Sequence, residues 1–443
     1  IVPALGSLAS SNYAFNFVKG TLTVDKATLT VTADNKNKIY GAVNPAFSVT
    51  YTGFVNNETP LYSGMTGTPS FTTLATTLSP VGVYDVMPGL GSLTAPNYTF
   101  VFAKGALTVG KSILTVTVDN KSKVYGSNNP VFTASFSGFV NGENMLNSGV
   151  TGAPVFTTSA VASSPVGNYE IAASGGTLAS GNYDFTYVKG VLSIGKAMVM
   201  VTADAKSRTY GTANPAFTAT YTGFVNGETM ATSGISGQPS LTTAAVATTN
   251  VGVYPITAAM GTLASSNYNF SFTNGTLNIE KAMLNVNADN KWKSYGAMNP
   301  ALTATISGFM NNETLSNSGV TGLPGLSTTA VVASSLGVYP IMVNIGSLAS
   351  GNYNFNFING DLTIGKATLT ITAQDKIRTY GAVNPEFTVA YSGFVNGETL
   401  ATSGLSGKPD FITGAVATSP VGNYVITPIA GTLTAANYNF VYV

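Results

Sequence analysis

Residues 97–109 read NYTFVFAKGALTV, and their alternation decides the fold that we predict for the chain. Tyr98, Phe100 and Phe102 are separated by single residues, so they fall on one face of an extended strand. Gly105 allows a turn, and the apolar residues of ALTV alternate again after it. The stretch therefore predicts a β-hairpin with one buried face.

Two motifs recur at intervals of 85 residues, without an insertion or a deletion. The pattern NYxF begins at Asn12, Asn97, Asn182, Asn267, Asn352 and Asn437, and the dipeptide Tyr-Gly begins at Tyr40, Tyr125, Tyr210, Tyr295 and Tyr380. A period of this length is too long for one coil of a solenoid and is typical of a small domain that folds by itself. We therefore predict a tandem array of domains.

The phase of the period gives the predicted domain boundaries. We expect residues 1–26 to be the C-terminal part of a repeat, and both ends of the chain to fall inside a repeat of a longer polypeptide. Repeats 1 to 5 are then residues 27–111, 112–196, 197–281, 282–366 and 367–443, the last of them without its final strand.

Repeat 1 shows the pattern of about seven short strands and no helical periodicity. Alternating runs occupy residues 28–33 and 47–51, a short polar segment lies at 36–40, and weaker strands fall near 69–74 and 82–87, before the pair described above. Two amphipathic sheets must bury their apolar faces on one another, so an immunoglobulin-like antiparallel β-sandwich is the leading architecture. A small closed barrel is the alternative, because the number of strands does not separate the two.

Composition excludes several classes of function. Charged residues are only 8 % of the chain and the formal net charge is +1, which gives nucleic acid or an anionic membrane little attraction. The chain has no Cys and no His, so disulfides, zinc sites, thiol nucleophiles and imidazole triads are excluded. We predict that the protein is not an enzyme, uses no cofactor, binds no nucleic acid and has no membrane span in this segment.

The tyrosines of the motifs have two interpretations. Tyr98 follows a turn and begins a strand, where a tyrosine corner would put its ring in the core and its hydroxyl on nearby backbone. A tyrosine that contacts a ligand is the alternative. We favour the structural role for Tyr98, and equally for Tyr40 beside Gly41 and for Tyr84.

Recurrent carboxylates are the only candidates for a metal site. An Asp recurs at Asp34, Asp119, Asp204 and Asp289, and a Glu recurs at Glu58, Glu143, Glu228, Glu313 and Glu398. One of each kind could share a calcium ion. The fifth copy, however, has Gln374 with Asp375 displaced by one position, so we favour a hydrogen-bonding role in a turn or loop and predict no metal site.

The junctions between repeats carry a recurrent lysine and are very short. Lys111, Asn97 and Glu58 are the residue types of an internal isopeptide bond, but that chemistry needs a buried, neutral lysine and a junction lysine is usually solvated. We therefore predict no such bond and no catalytic residue. With only residues 110–112 between strands, adjoining repeats have little angular freedom, which predicts a semi-rigid elongated rod.

The combined motifs resemble a known family. KxYGxxNPxF at residues 38–47, GFVNxE at 53–58, VGxY at 81–84 and NYxFxFxxGxLT at 97–108 resemble the MBG repeat, the mostly bacterial immunoglobulin-like domain, of its YGX type. The resemblance extends over essentially the whole sequence. It implies tandem immunoglobulin-like domains in very large secreted or surface-exposed bacterial proteins, many of them adhesin-like, and it implies no catalytic residues.

Two functions follow from these features. The first is a structural segment of an extracellular fibre or stalk on the bacterial cell surface, whose partners are copies of itself or neighbouring repeats of the same long chain. The second is an adhesive array, in which many weak sites bind a surface, a glycan or another cell-surface receptor and their number supplies avidity. We predict the first, because the variation between copies is spread over all of them and no single repeat is distinguished as a binding module.

Overall fold

The computed structural model describes all 443 residues, and its regular elements are strands only. This confirms the predicted all-β class. None of the elements is a helix that is long and apolar enough to cross a membrane.

The strands recur with the sequence period. Repeat 1 contains β1 (Ala27–Ala33), β2 (Lys36–Ile39), β3 (Val49–Thr52), β4 (Ser70–Thr72), β5 (Gly82–Gly89), β6 (Tyr98–Ala103) and β7 (Gly105–Gly110). Repeat 2 contains β8 (Ser112–Val118), β9 (Lys121–Val124), β10 (Ala134–Ser137), β11 (Val155–Thr157), β12 (Gly167–Ser174), β13 (Tyr183–Val188) and β14 (Gly190–Gly195).

The later repeats follow the same order. Repeat 3 contains β15 (Ala197–Ala203), β16 (Lys206–Thr209), β17 (Ala219–Thr222), β18 (Ser240–Thr242), β19 (Gly252–Ala259), β20 (Tyr268–Thr273) and β21 (Gly275–Glu280). Repeat 4 contains β22 (Ala282–Ala288), β23 (Lys291–Ser294), β24 (Ala304–Ser307), β25 (Gly325–Thr328), β26 (Gly337–Asn344), β27 (Tyr353–Ile358) and β28 (Gly360–Gly365). Repeat 5 contains β29 (Ala367–Ala373), β30 (Val389–Ser392), β31 (Asp410–Thr413), β32 (Ile426–Ile429) and β33 (Tyr438–Tyr442).

Two sheets form the core of repeat 1. One has the strand order β3-β1-β6 and the other has the order β2-β7-β5-β4, and repeats 2 and 4 show the same arrangement. The alternation of β1 buries Ala33, which packs against Val86 and Leu107 of the other sheet. Seven strands in two facing sheets confirm the sandwich and contradict the alternative of a closed barrel.

The predicted hairpin of β6 and β7 is wrong. β6 pairs in parallel with β1, whereas β7 lies in the other sheet between β2 and β5. Only Lys104 separates β6 from β7, which is too short for the chain to reverse, so it crosses from one sheet to the other. Gly105 serves this crossing: a Cβ there would lie 2.1 Å from the carbonyl oxygen of Ala33. The sheets are therefore mixed, with two parallel pairs in repeat 1.

Repeat 5 contains fewer strands than the others. Its sheets have the orders β30-β29-β33 and β31-β32. Residues 376–379, which correspond to β2, form no strand. In repeat 1 that strand pairs with β7, and the residues corresponding to β7 would follow residue 443.

Contacts between Cα atoms divide the chain into two compact units. The first comprises Ile1–Val199, Gly223–Ile235 and Ala264–Asn269, and the second comprises Met200–Thr222, Ser236–Leu263 and Phe270–Val443. The first unit thus includes the GFVNxE motif of repeat 3 and the first three residues of its NYxF motif. The division into domains of 85 residues stays a prediction.

Candidate functional site at the junctions between repeats

The Tyr-Gly dipeptide at the end of β2 contacts the following repeat. Tyr40 is only 4 % exposed, and its hydroxyl donates a hydrogen bond to Oε1 of Glu143 in the GFVNxE loop of repeat 2. The other oxygen of that carboxylate accepts a hydrogen bond of 2.6 Å from the hydroxyl of Tyr183. The two rings meet edge to face with centroids 5.6 Å apart, a favourable aromatic geometry. We call these three side chains the Tyr-Glu-Tyr cluster.

The loop that carries the glutamate is held in a defined shape. The amide of Val140 donates to the hydroxyl of Tyr183 at 3.0 Å, and the amide of Glu143 donates to the carbonyl of Val140, also at 3.0 Å. Asn141 between them has a φ of 55°, a left-handed conformation that Asn adopts more readily than most residues. The Asn of GFVNxE thus turns the chain so that the carboxylate reaches both tyrosines.

The same cluster forms at three later junctions. Its members are Tyr125, Glu228 and Tyr268, then Tyr210, Glu313 and Tyr353, then Tyr295, Glu398 and Tyr438. The hydrogen bonds from the first tyrosine of each set are 2.5, 2.5 and 2.6 Å, and the ring centroids are 5.6, 5.5 and 6.0 Å apart.

The glycine of the dipeptide is required by the same contact. Gly41 has a φ of +83°, and a Cβ on it would lie 2.4 Å from the side chain of Val140 in repeat 2. Gly126, Gly211 and Gly296 would meet Val225, Met310 and Val395 at 2.4, 2.2 and 2.3 Å. Any side chain at these glycines would therefore push the neighbouring repeat away.

A second contact joins the VGxY and NYxF motifs across the junction. The amide of Val81 donates to Oδ1 of Asn182 in the next repeat at 3.1 Å. The pairs Val166 with Asn267 and Val251 with Asn352 repeat it at 3.1 and 3.0 Å. The recurrent Asn before the buried tyrosine therefore satisfies a backbone amide of the preceding repeat.

A buried cation orders the loop beside the Tyr-Gly dipeptide. The ammonium of Lys38 donates to the carbonyls of Ala42 and Thr76 at 3.1 and 2.5 Å, and Asn44 donates to the carbonyl of Ala75 at 2.7 Å. Burial lowers the pKa of Lys38. Repeats 3 and 5 have Arg208 and Arg378 at this position, and the latter donates in the same way to the carbonyls of Ala382 and Val416. The Lys and Asn of KxYGxxNPxF thus support the dipeptide.

The tyrosines of the cluster are held in their neutral form. Burial, and then the hydrogen bond to Glu143, raises the pKa of Tyr40. The same two causes in the same order raise the pKa of Tyr183 to about 12. Both hydroxyls therefore keep their protons at neutral pH and can donate them to the carboxylate.

The structure locates the predicted tyrosines. Tyr98 is 2 % exposed and its hydroxyl accepts from the amide of Val55 at 3.1 Å, which confirms the predicted contact with backbone. Its hydroxyl also donates to Glu58 at 2.6 Å. Tyr84 is half-buried and donates to the carbonyl of Pro80. Tyr40 has the structural role that we favoured, but it contacts the next repeat, which the sequence analysis did not predict. The signal for this contact was the constant distance in sequence from each such Tyr to a Glu of the next copy.

The recurrent carboxylates bind hydroxyl groups. Asp34 accepts from Ser48 and Thr50 at 2.5 and 2.6 Å, and these bonds, the one from Ser48 above all, lower its pKa. The structure contains no group of three Asp, Glu, His or Cys side chains that could hold a metal ion. Each Asp thus orders the loop between two strands.

The three residue types of an isopeptide bond have other partners. The ammonium of Lys111 lies 3.1 Å from Asp184, and Glu58 binds Tyr98. The backbone carbonyl of Asn97 accepts a hydrogen bond from the amide of Ala27. Lys111 is thus in an exposed ion pair, whereas Glu58 and the backbone of Asn97 accept hydrogen bonds.

Fold and junctions together define an all-β protein built of tandem sandwich repeats that contact one another through Tyr-Glu-Tyr clusters. The profile of the MBG domain (YGX type) matches residues 29–108, 114–193, 199–278, 284–363 and 369–443. The chain belongs to this family.

Other comparisons add little. No curated protein matches the chain. Among solved structures it is similar to Drosophila N-cadherin EC1-4, with 10 % identity over 79 % of this chain and 94 % of that one and a TM-score of 0.18. Similar values hold for the I9-I11 tandem of titin (12 % identity, 58 % and 97 % covered, TM-score 0.16) and for Sidekick-1 immunoglobulin domains 1–4 (10 %, 65 % and 83 %, 0.18). At such TM-scores these likenesses carry no argument.

Proposed function

We propose that this chain is a structural segment of an extracellular fibre or stalk on a bacterial surface. The observation that carries the proposal is where the recurrent residues lie: Tyr40, Gly41, Glu143 and Asn182 meet at the contact between two repeats. Residues that recur because they catalyse or bind a ligand would instead converge in a pocket of each repeat. The motifs therefore support a role in joining repeats, and the family membership agrees with a role without catalysis.

An extracellular position is supported by composition and family resemblance. The chain has no Cys, few charges and many Thr, Ser, Asn and Gly residues, which is typical of bacterial surface and secreted repeat proteins. The adhesive array stays the second prediction, and glycan or surface binding by the full chain would test it.

Solution scattering by the full chain tests the stalk. A compact globule of this length has a radius of gyration of about 22 Å. Repeats of roughly 30 to 40 Å placed end to end would give about 45 Å or more. A measured value near that of the globule would contradict the proposal.

We also propose that the chain's partner is a repeat like its own, supplied by the same long chain or by another copy. A groove of about 790 Å³ in repeat 5 is lined in part by Phe387, Tyr424 and Val425. In repeat 1 the corresponding space holds β7, whose Leu107 and Val109 are 0 % and 1 % exposed. The groove therefore fits a strand with the same alternation.

Sedimentation of the full chain tests self-association. We expect the mass to rise with concentration, because a formal net charge of +1 leaves little electrostatic repulsion between copies. A wild-type chain that stays monomeric at every concentration would contradict self-association and leave the stalk proposal standing.

A further inference from the structure

In each sheet of repeat 1, one of the two N-terminal strands pairs in parallel with one of the two C-terminal strands. β1 pairs with β6 from Ala27 opposite Tyr98 to Thr32 opposite Ala103, and β2 pairs with β7. Repeats 2 and 4 contain the same two parallel pairs, and the pair of β16 with β21 recurs in repeat 3. The N-terminal end of each such repeat is therefore bonded directly to its C-terminal end.

This pairing has a mechanical consequence. Tension along the chain pulls β1 toward its N-terminal end and β7 toward its C-terminal end. Because the paired strands run in the same direction, tension slides them lengthwise, and all the hydrogen bonds of a pair bear the load together. Terminal strands that were antiparallel neighbours joined at one end would instead separate one bond at a time.

Additional hydrogen bonds lie along the same two pairs. The amide of Ala27 donates to the carbonyl of Asn97 at 3.0 Å, and the amide of Tyr40 donates to the carbonyl of Gly110 at 2.8 Å. At the crossing between sheets, Oδ1 of Asn35 accepts from the amide of Ala106 at 2.8 Å. These bonds fasten both ends and the middle of the N-terminal strands to the C-terminal ones.

The bond at the crossing differs between repeats. Asn120 and Asn290 accept from Val191 and Asp361 at 2.7 Å, as Asn35 does in repeat 1. Repeat 3 has Ala205 at this position and so lacks the side-chain amide. Repeats 2 and 3 of the same chain thus differ naturally in the presence of this hydrogen bond and can be compared directly.

Load would pass from one repeat to the next without a flexible segment. β7 ends at Gly110 and β8 begins at Ser112, so only Lys111 lies between a loaded strand of repeat 1 and a loaded strand of repeat 2. Tyr40, which directly follows β2 of repeat 1, is bonded to Glu143 of repeat 2.

We propose a further function for this chain, which is to bear tension: each repeat with both parallel strand pairs resists force along the chain through shear of those pairs. The inference goes beyond the role of a stalk, because a stalk needs only to keep its length. It also holds independently of self-association.

Pulling the full chain by its ends at constant force tests the proposal. The chain has no Cys, so a cysteine added at each end attaches the handles without ambiguity. We expect long-lived unfolding steps from repeats 1, 2 and 4, which have both parallel pairs, and a short-lived step from repeat 5, which has the pair of β29 with β33 but no strand at residues 376–379. Five steps of equal lifetime would overturn the proposal.

The direction of pulling supplies the control. Ser122 and Ser193 lie opposite each other in β9 and β14, and both are exposed. With handles at Ser122→Cys and Ser193→Cys, force acts across the pair of β9 and β14 and pulls the two strands apart. At a force that repeat 2 withstands when pulled along the chain, we therefore expect repeat 2 to unfold quickly. Equal lifetimes in the two directions would mean that overall stability, not shear, resists the load.

Two substitutions test the bond at the crossing. Ala205→Asn adds the side-chain acceptor to repeat 3, and Asn120→Ala removes it from repeat 2. We expect Ala205→Asn to lengthen the lifetime of the repeat 3 step and Asn120→Ala to shorten the lifetime of the repeat 2 step. Each change should be about fivefold, which is what one net hydrogen bond produces. Lifetimes that do not respond to either variant, with urea unfolding unchanged in both, would show that these strand pairs do not bear the load.

Discussion

Two copies of the same dipeptide, Tyr295-Gly296 and Tyr380-Gly381, have opposite surroundings. Tyr295 is 7 % exposed and bonded to Glu398, whereas Tyr380 is 67 % exposed. A Cβ on Gly296 would strike Val395, but one on Gly381 would meet nothing within 4 Å. The two glycines have almost the same φ, +77° and +79°, so the local backbone does not account for the difference. Where the next repeat is present, the dipeptide is thus buried in a cluster to which both repeats contribute.

The largest effect expected from this comparison is that of a side chain on the buried glycine. Gly296→Val should clash with Val395 and destabilise the second unit by roughly 1 to 3 kcal/mol more than Gly381→Val, which bears only the cost of a positive φ. Urea unfolding of the two full-length variants measures the difference. Equal losses would show that the glycine serves only the backbone conformation.

The next largest loss of stability is expected for a glutamate that accepts from two tyrosines, compared with a glutamate that accepts from one. Glu143→Ala removes the acceptor of the hydroxyls of Tyr40 and Tyr183, whereas Glu58→Ala removes the acceptor of the Tyr98 hydroxyl alone. We expect a loss of roughly 2 to 4 kcal/mol for the first variant and about half of that for the second. Losses of the same size in denaturant titrations would argue against an energetic role of the tyrosine from the preceding repeat.

Alkaline pH should weaken the junctions. The pKa of Tyr183 is raised to about 12 by burial and by Glu143, while an unfolded tyrosine titrates near about 10. The contribution of such a group to stability is complete below the unfolded pKa and is lost as pH rises through the folded pKa. We therefore expect the free energy of unfolding to fall between about pH 10 and 12, and to fall less in Tyr183→Phe. The same slope in both proteins would contradict this assignment.

Removal of a single hydroxyl should give the smallest effect. Tyr295→Phe keeps the ring contact with Tyr438 and loses one hydrogen bond, which should cost about 1 kcal/mol. Tyr380→Phe should change the free energy of unfolding by less than about 0.5 kcal/mol, because its side chain is exposed. Thermal unfolding of both variants shows whether the buried tyrosine contributes more to the free energy of unfolding than the exposed one.

The sequence predicted the strands well because burial leaves a direct signal in a strand. The alternation of residues 28–33 placed Leu29 and Val31 on one face, and both are fully buried. The position of Tyr98 after a turn likewise predicted a buried ring with its hydroxyl on backbone. A period of two residues shows which face of a strand is buried, but it does not show which strand pairs with it or whether the pair is parallel.

That limit explains the hairpin error and the missed junction. A glycine between two alternating runs is as consistent with a reversal as with the close approach of Gly105 to Ala33. The Tyr-Glu-Tyr cluster joins residues 103 apart, such as Tyr40 and Glu143, and each of them also recurs within every copy. Periodicity alone therefore could not tell a contact within one repeat from a contact with the next.

The Tyr-Glu-Tyr cluster gives the array a direction and a smallest cooperative unit. One complete cluster extends from Tyr40 to Tyr183, which is longer than one period, so a fragment cut at the ends of a single repeat has no complete cluster. In a nearest-neighbour description, part of the folding free energy belongs to pairs of repeats and not to single ones. During synthesis from the N-terminus, the tyrosine of each Tyr-Gly dipeptide would then become buried only after the following repeat has folded.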